Sequence, residues 1–168
     1  MKAETSELKH GTFVRVGELG VLILGTPGSG KSSLALALID GGGRGIGKKD
    51  LTTTLIADDQ VRLWYDDATA QVFGRPPESI AGLMEIRGLG IVQVEHLPHC
   101  PVRLVVQLKQ EEKIVRLPDF PDTCIDILGQ AIPVIEVSGR NTNAAARVRA
   151  GVVALLASNT VENTMVIR

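Results

Sequence analysis

An eight-residue segment, Gly25-Thr-Pro-Gly-Ser-Gly-Lys-Ser32, has the most readily interpreted chemistry in this chain. It matches the G-x-x-x-x-G-K-[ST] pattern in full, and it lies between an apolar run that predicts a strand and a segment that predicts a helix. Glycines at these spacings let successive backbone N–H groups point toward one centre, where they can donate to phosphate oxygens. The sequence predicts a loop that binds the phosphates of ATP, formed by Gly25, Thr26, Pro27, Gly28, Ser29, Gly30, Lys31 and Ser32.

The last two residues of this phosphate loop predict separate roles. The Lys31 ammonium is suited to neutralise the β- and γ-phosphates, and the Ser32 hydroxyl is suited to ligate a magnesium ion. A glycine-rich turn that only joined a strand to a helix would not need a lysine followed by a serine. The loop alone does not define a reaction, because kinases, GTPases, motors and transporters all use it.

The segments around the loop predict the elements that position it. Residues 20–24 are an unbroken apolar run, which is typical of a strand buried on both faces of a sheet. A helix is predicted from Lys31, and the three glycines at 41–43 end it. Further strands are predicted at 12–16, 51–57, 61–65, 70–73, 83–86, 91–94 and 102–108, and a closing helix at 143–158. The sum is a mixed α/β fold with a strand-rich sheet.

Length and composition limit the organisation and the partners. A chain of 168 residues with 44% hydrophobic content can bury one core, so we expect a single domain over residues 1–168. The formal net charge of -1 gives no basic field that favours nucleic acid or an anionic membrane. No run of about 18 apolar residues predicts a membrane span. Two cysteines without paired spacing fit a reducing cytoplasm.

Further blocks contain the acids, arginines and glycines that would have to specify a reaction. In chain order they are His10-Gly11, Leu55-Ile-Ala-Asp-Asp59, Glu85-Ile-Arg-Gly-Leu-Gly-Ile91, Arg116-Leu117 and Ser138-Gly-Arg-Asn141. With these blocks in this order, the chain resembles the catalytic domain of HPr kinase/phosphorylase over roughly residues 10–155. That bacterial enzyme phosphorylates a serine of the phosphocarrier protein HPr. The block at 85–91 is close to the family's signature.

The resemblance implies a role for each matching residue. Asp59 would be the base that accepts the proton of the serine hydroxyl, and a carboxylate near a magnesium-bound phosphate is what phosphoryl transfer to a hydroxyl needs. Glu85 would ligate magnesium together with Ser32. His10 would approach the phosphates, and Arg116 would help to manage the transferred negative charge.

Each block also has a plainer interpretation from the sequence alone. Asp58 and Asp59 could end a strand or cap a helix, since aspartate is common in such turns. Gly88 and Gly90 could form a tight turn between two strands. Arg140 could approach the phosphates or the protein substrate, or it could form an ordinary surface ion pair.

The resemblance also implies an architecture and partners. It implies a P-loop kinase fold like that of phosphoenolpyruvate carboxykinase, with ATP and Mg²⁺ as cofactors and HPr, or its nitrogen-branch relative, as the substrate. Family members assemble as hexamers in which a C-terminal helix grips the neighbour's substrate, so we expect a homo-oligomer with residues 143–158 in that role. Better-studied members have an additional N-terminal domain, and we expect the short, α-proteobacterial form with the catalytic domain alone.

Three departures from the family pattern bear on function. Ser33 follows the loop where the family has an acid. Residues 137–141 are Val-Ser-Gly-Arg-Asn, whereas the family has Arg-Pro-Gly-Arg-Asn, a stretch associated with the reverse, phosphorolytic reaction. Retention of phosphorolysis therefore stays open. Residues 41–50 form a glycine- and lysine-rich segment that predicts a flexible loop.

Two hypotheses from different classes remain. The first is a protein-serine kinase that acts on an HPr-type carrier, and the second is a nucleotide-binding signalling module that works through partner contacts without phosphotransfer. Asp59, Glu85 and Arg116 favour the kinase, because a pure binder needs no base. A small-molecule P-loop kinase is a weaker third hypothesis, since no arginine-rich lid segment is evident in the sequence.

Overall fold

The computed structural model describes residues 6–159 and shows a mixed α/β fold. Nine strands form one sheet in the order β1-β5-β6-β9-β3-β2-β4, with β11 beside β9 and β10 beside β11, and β7 and β8 form a separate hairpin. The elements are β1 (Ser6–His10), β2 (Thr12–Val16), β3 (Leu19–Leu24), α1 (Lys31–Asp40), β4 (Thr53–Ala57), β5 (Gln60–Asp66), β6 (Gln71–Arg75), β7 (Leu83–Ile86), β8 (Gly90–Gln93), β9 (Cys100–Leu108), β10 (Cys124–Ile127), β11 (Gln130–Val137) and α2 (Ala144–Asn159).

The sheet is organised around β3, the strand that leads into the phosphate loop. All six of its residues are buried, as the apolar run predicted. Val21 and Ile23 belong to the core that also contains residues of α1 and α2, whereas Leu22 and Leu24 belong to the core on the opposite face. This alternation is that of a strand covered on both sides. It fixes the point at which the glycine loop begins.

Parallel pairing places several strand ends at one edge of the sheet. Strand β9 runs parallel to both β3 and β11. Strand β2 is antiparallel to both β3 and β4, so β4 has the same direction as β3. The carboxyl ends of β3, β4, β9 and β11 therefore meet the amino end of β2. The phosphate loop lies at this edge, which is where α/β sheets bind ligands.

Every strand that the sequence predicted is present, with each end within two residues of its predicted position. Three described strands, β1, β10 and β11, had no prediction. Strand β1 is an edge strand that alternates between exposed and half-buried residues. Strand β11 contains Pro133, and its parallel ladder with β9 begins only after it, at Val134. Within residues 6–159, neither helix is long and apolar enough to cross a bilayer.

Arg149 of α2 connects the two helices by hydrogen bonds to backbone carbonyls at the end of α1. Its buried guanidinium donates to the Leu38 carbonyl at 3.1 Å and also to the Gly41 carbonyl. Carbonyls at the end of a helix have no partner within the helix. Arg149 therefore completes the C-terminal end of α1, the helix whose other end forms part of the phosphate loop.

The glycine-rich segment 41–50 packs against α2, which differs from the flexible loop that its composition predicted. A Cβ on Gly45 would lie 2.5 Å from the backbone nitrogen of Ala150. A Cβ on Gly43 would lie 3.2 Å from the Arg149 guanidinium. The absence of side chains at these positions lets the segment approach α2 closely.

Substituting Gly45 tests this contact. Gly45 has a φ of +55°, and an added Cβ would meet backbone that cannot move aside, so Gly45→Ala is expected to lower the free energy of unfolding by about 1–3 kcal/mol. The measurement is urea unfolding followed by circular dichroism. Gly42→Ala is the matched control, because nothing lies within 4 Å of a Cβ there. Equal stability of the two variants would contradict the packing.

Candidate active site

The phosphate loop, the β4–β5 turn and the β7–β8 hairpin surround one cleft of about 300 Å³. Five residues that were predicted from four separate blocks of sequence line this cleft, namely His10, Lys31, Ser32, Asp59 and Glu85. The remaining lining residues are Thr12, Pro27, Gly28, Gly30, Ser33 and Arg87. The fold therefore brings together positions that are up to 77 residues apart in the chain, from His10 to Arg87.

The geometry of the loop fits a bound anion. Helix α1 begins at Lys31, and its N-cap residue Gly30 has a φ of 97° and provides no side-chain cap. The first turn contains no acidic residue, so its backbone N–H groups are available to a ligand with negative charge. The Ser29 hydroxyl is buried with no hydrogen-bond partner in the described structure. The backbone N–H groups of the first turn suit the phosphate oxygens of a nucleotide, whereas Ser29 does not line the cleft.

Lys31 supplies the positive charge of the loop. Its side chain is buried, and its ammonium donates to the carbonyls of Gly25 and Thr26 at 3.1 Å each. Burial lowers the pKa of this ammonium, and the carboxylates of Asp59 and Asp58 act in the opposite direction. A poorly hydrated cation at this position interacts strongly with phosphate oxygens, because little water screens it.

Asp58 is the acid that connects the loop to the rest of the cleft. It is only 4% exposed, and its Oδ1 accepts hydrogen bonds from the Ser32 hydroxyl at 2.7 Å and the Thr12 hydroxyl at 2.8 Å. Its Oδ2 accepts the backbone N–H of Glu85 at 3.3 Å. A serine that donates its proton to Asp58 keeps its oxygen lone pairs for a cation. The Ser32 hydroxyl and the Asp58 carboxylate thus supply adjacent oxygen atoms of the kind that suits magnesium, and Glu85 lines the same cleft as Ser32.

Asp59 occupies a different environment because of the turn that contains it. The Gln60 N–H donates to the Asp58 carbonyl at 2.8 Å, and Asp59 between them has a φ of 68°. This combination describes a γ-turn of the positive-φ form, which is rare and strained. The Asp59 side chain is 67% exposed, and its Oδ1 lies 3.3 Å from Nδ1 of His10. The turn therefore leaves one carboxylate buried and its neighbour accessible in the cleft.

Arg116 is the one predicted catalytic residue that does not line this cleft. It lies on the irregular segment between β9 and β10 and lines another cavity, of about 760 Å³, together with Glu111, Glu136 and Arg147. Two of the three acids of that cavity already pair with cations, Glu111 with Arg147 and Glu136 with Lys109, and the third is Asp119. The geometry of the cleft gives no support to the predicted role of Arg116.

Two features of the site were not identified from the sequence. Thr12 contacts Asp58 through its hydroxyl, and the sequence signal available for it was only a polar residue at the start of an apolar strand. The backbone at Gly139 packs against the phosphate loop, where an added Cβ would lie 2.4 Å from the Ser29 carbonyl oxygen. The segment after β11 thus supports the loop from the side opposite Asp58, whereas the Arg140 side chain is exposed.

Comparison with known proteins gives a consistent result. The family described as HPr Serine kinase C-terminal domain matches residues 2–166. The chain is 38% identical over 144 residues to HPr kinase/phosphorylase of Enterococcus faecalis, covering 79% of this chain and 43% of that protein. It is 36% identical over 148 residues to the protein of the same name from an Acidovorax species, covering 79% and 42%. The chain thus spans less than half the length of these relatives.

A solved structure is similar over nearly the whole of both chains. The HPr(Ser) kinase/phosphatase from Coxiella burnetii superposes with a TM-score of 0.74 at 27% sequence identity, covering 91% of this chain and 92% of that one. The similarity extends well beyond the phosphate loop. It agrees with the mixed, strand-rich α/β sheet described above.

The contact between Gly139 and the loop gives a direct test of the site. A Cβ at this position would displace the Ser29 carbonyl, so Gly139→Ala is expected to weaken the binding of Mg-ATP by about tenfold or more. Isothermal titration calorimetry measures the affinity, and a thermal melt checks the fold. Gly42→Ala again serves as the control. Unchanged affinity in Gly139→Ala would show that the segment does not support the loop.

Proposed function

The chain belongs to the HPr serine kinase C-terminal domain family, and on that premise we propose that it is an ATP- and magnesium-dependent protein-serine kinase acting on an HPr-type phosphocarrier. One observation supports this above the others: consecutive acids at the phosphate loop, Asp58 and Asp59, are respectively buried and exposed. A nucleotide-binding module needs the first acid. The second, accessible acid is needed only where a hydroxyl must lose its proton.

The residues around the loop would bind the nucleotide. The N–H groups of the first turn of α1 and the Lys31 ammonium would hold the phosphates. Ser32, Asp58 and Glu85 would hold a magnesium ion, Ser32 directly and Asp58 by accepting the proton of its hydroxyl. When bound, the ion neutralises charge on the β- and γ-phosphate oxygens and so favours transfer.

Asp59 would be the base for transfer. It would accept the proton of the acceptor serine while the serine oxygen forms a bond to the γ-phosphorus. The bond from that phosphorus to the β–γ bridging oxygen breaks, and its electron pair leaves with ADP. His10, 3.3 Å from Asp59, would hold the carboxylate in place. An acid that is 67% exposed can be reached by a serine on the surface of a folded protein.

The proposal extends to the assembly. We expect a homo-oligomer, by family a hexamer, in which α2 (Ala144–Asn159) contacts the substrate held by a neighbouring copy. We also expect the protein to act in the cytoplasm, where phosphocarriers are found. Removal of the phosphate by inorganic phosphate is a separate activity, which incubation with phosphorylated carrier and phosphate would reveal.

The first test is transfer itself. Purified HPr, and separately its nitrogen-branch relative, would be incubated with this protein and Mg-ATP and examined by intact-mass spectrometry. We expect one carrier to gain one phosphoryl group on a serine, because Asp59 and the phosphate loop share one cleft. Lys31→Ala should abolish the gain, and Asp59→Asn should slow it strongly. ATP binding without transfer to either carrier would reject the kinase and leave the signalling module.

The second test separates the two acids with matched isosteric variants. Asp59→Asn is expected to lower kcat by roughly 10²–10⁴-fold and to leave the affinity for Mg-ATP nearly unchanged, since a base contributes to chemistry and not to binding. Asp58→Asn is expected to weaken the binding of the metal, because Ser32 loses its charged acceptor. Calorimetry and steady-state kinetics measure both. Equal effects on binding would contradict the assigned division of roles.

A further inference from the structure

The Thr12 hydroxyl is a buried polar group for which the proposed reaction has no direct use. Thr12 is 0% exposed, and the rest of β2 is apolar except for Arg15. Buried hydroxyls need hydrogen-bond partners, and this one donates to Oδ1 of Asp58 at 2.8 Å. A valine would fill the same space in a strand without needing any partner. The reason for a hydroxyl at this position therefore lies in its hydrogen bond to Asp58.

Three hydrogen bonds fix the Asp58 carboxylate. A carboxylate can rotate about its Cβ–Cγ bond, and donors on both oxygens prevent this rotation. Oδ2 accepts the Glu85 N–H at 3.3 Å, which is a long contact. The Ser32 hydroxyl can rotate about its own bond, so it follows the carboxylate and cannot hold it. Of the two hydroxyls that donate to Oδ1, Thr12 has the more firmly held backbone, because β2 is paired on both sides, with β3 and β4, whereas Ser32 lies in the first turn of α1.

The orientation of Asp58 controls the orientation of Ser32. Both hydroxyls donate to the same oxygen, Oδ1, at 2.8 and 2.7 Å. With Oδ1 held facing the loop, the Ser32 proton points to Asp58 and its lone pairs remain directed away from it. If the carboxylate turned, the Ser32 proton could follow it or find another acceptor. A hard cation binds the oxygen of a hydroxyl, so the Ser32 proton has to point away from the cation.

We propose that Thr12 is a positioning residue for the magnesium site, holding Asp58 so that the Ser32 oxygen remains available to the cation. The inference rests on one part of the proposed function, the binding of a nucleotide with a metal ion. It does not depend on which protein is phosphorylated.

The experiment measures metal binding without catalysis. Mn²⁺ would be titrated into the protein saturated with a non-hydrolysable ATP analogue, and free Mn²⁺ would be followed by electron paramagnetic resonance. Thr12→Val keeps the shape and removes the donor, and it is expected to weaken Mn²⁺ binding by about tenfold. Thr12→Ser keeps the donor and should stay within about threefold of the wild type. Affinity for the analogue in EDTA should be equal in all three proteins.

A structural role gives a different result from a positioning role. If Thr12 only satisfied the fold, Thr12→Val would lower the melting temperature and leave Mn²⁺ affinity unchanged, and this outcome overturns the proposal. The proposal would also be overturned if Thr12→Val lowered the affinity for the analogue in EDTA as much as the affinity for Mn²⁺, because the whole loop would then be disturbed. If Thr12→Val did not fold, Thr12→Ala would take its place under the same criteria.

The outcome is independent of the transfer assay. Suppose that the wild type binds Mn²⁺ with the analogue, that Thr12→Val weakens this binding, and that no carrier is phosphorylated. These results would reject the kinase and support the role of Thr12. If the wild type phosphorylates a carrier, and Thr12→Val and Thr12→Ser bind Mn²⁺ with equal affinity, the kinase would be supported and the role of Thr12 rejected.

Discussion

The buried carboxylate of Asp58 is the interaction on which the organisation of the cleft depends. A charge that is removed from water is costly unless donors surround it. Here the donors come from three separate elements, Thr12 of β2, Ser32 of α1 and the backbone of Glu85 in β7. Satisfying one acid therefore holds the start of the loop helix, a central strand and the hairpin in a single arrangement. Burial lowers the pKa of the Lys31 ammonium, and the carboxylates of Asp59 and then Asp58 oppose this change.

The sheet makes this arrangement possible. Because β3 is covered on both faces, its position is fixed, and its parallel partners β9 and β11 end at the same edge. The chain that leaves β11 passes directly behind the phosphate loop, where Gly139 allows backbone contact with Ser29. The chain that leaves β4 reaches the other side of the loop with Asp58. The loop therefore lies between two strand ends. The chain after β11 supports it by backbone contact, and the chain after β4 places the Asp58 carboxylate beside it.

The consecutive acids show how one short turn can place neighbouring carboxylates in different environments. Residues 58 and 59 are chemically identical, and the positive φ of Asp59 separates their environments. One side chain becomes part of the polar network inside the cleft, and the other remains accessible beside His10. Strain at such a turn is tolerated because Asp59 and the residue before it are both held: the Gly11 N–H donates to the Asp59 carbonyl, and the Asp58 side chain accepts its own hydrogen bonds.

The sequence by itself determined the phosphate loop, its flanking strand and helix, the mixed α/β class and most strands, because these depend on contiguous residues whose periodicity and glycine content are local properties. It did not reveal β1, an edge strand, or the pair β10 and β11, of which β11 contains Pro133. Only the tertiary structure decided that Asp58 is buried and Asp59 exposed, that Thr12 contacts an acid 46 residues away, and that Arg116 lines another cavity. These outcomes depend on distances between remote segments, which are set by strand pairing and by the cost of burying a charge.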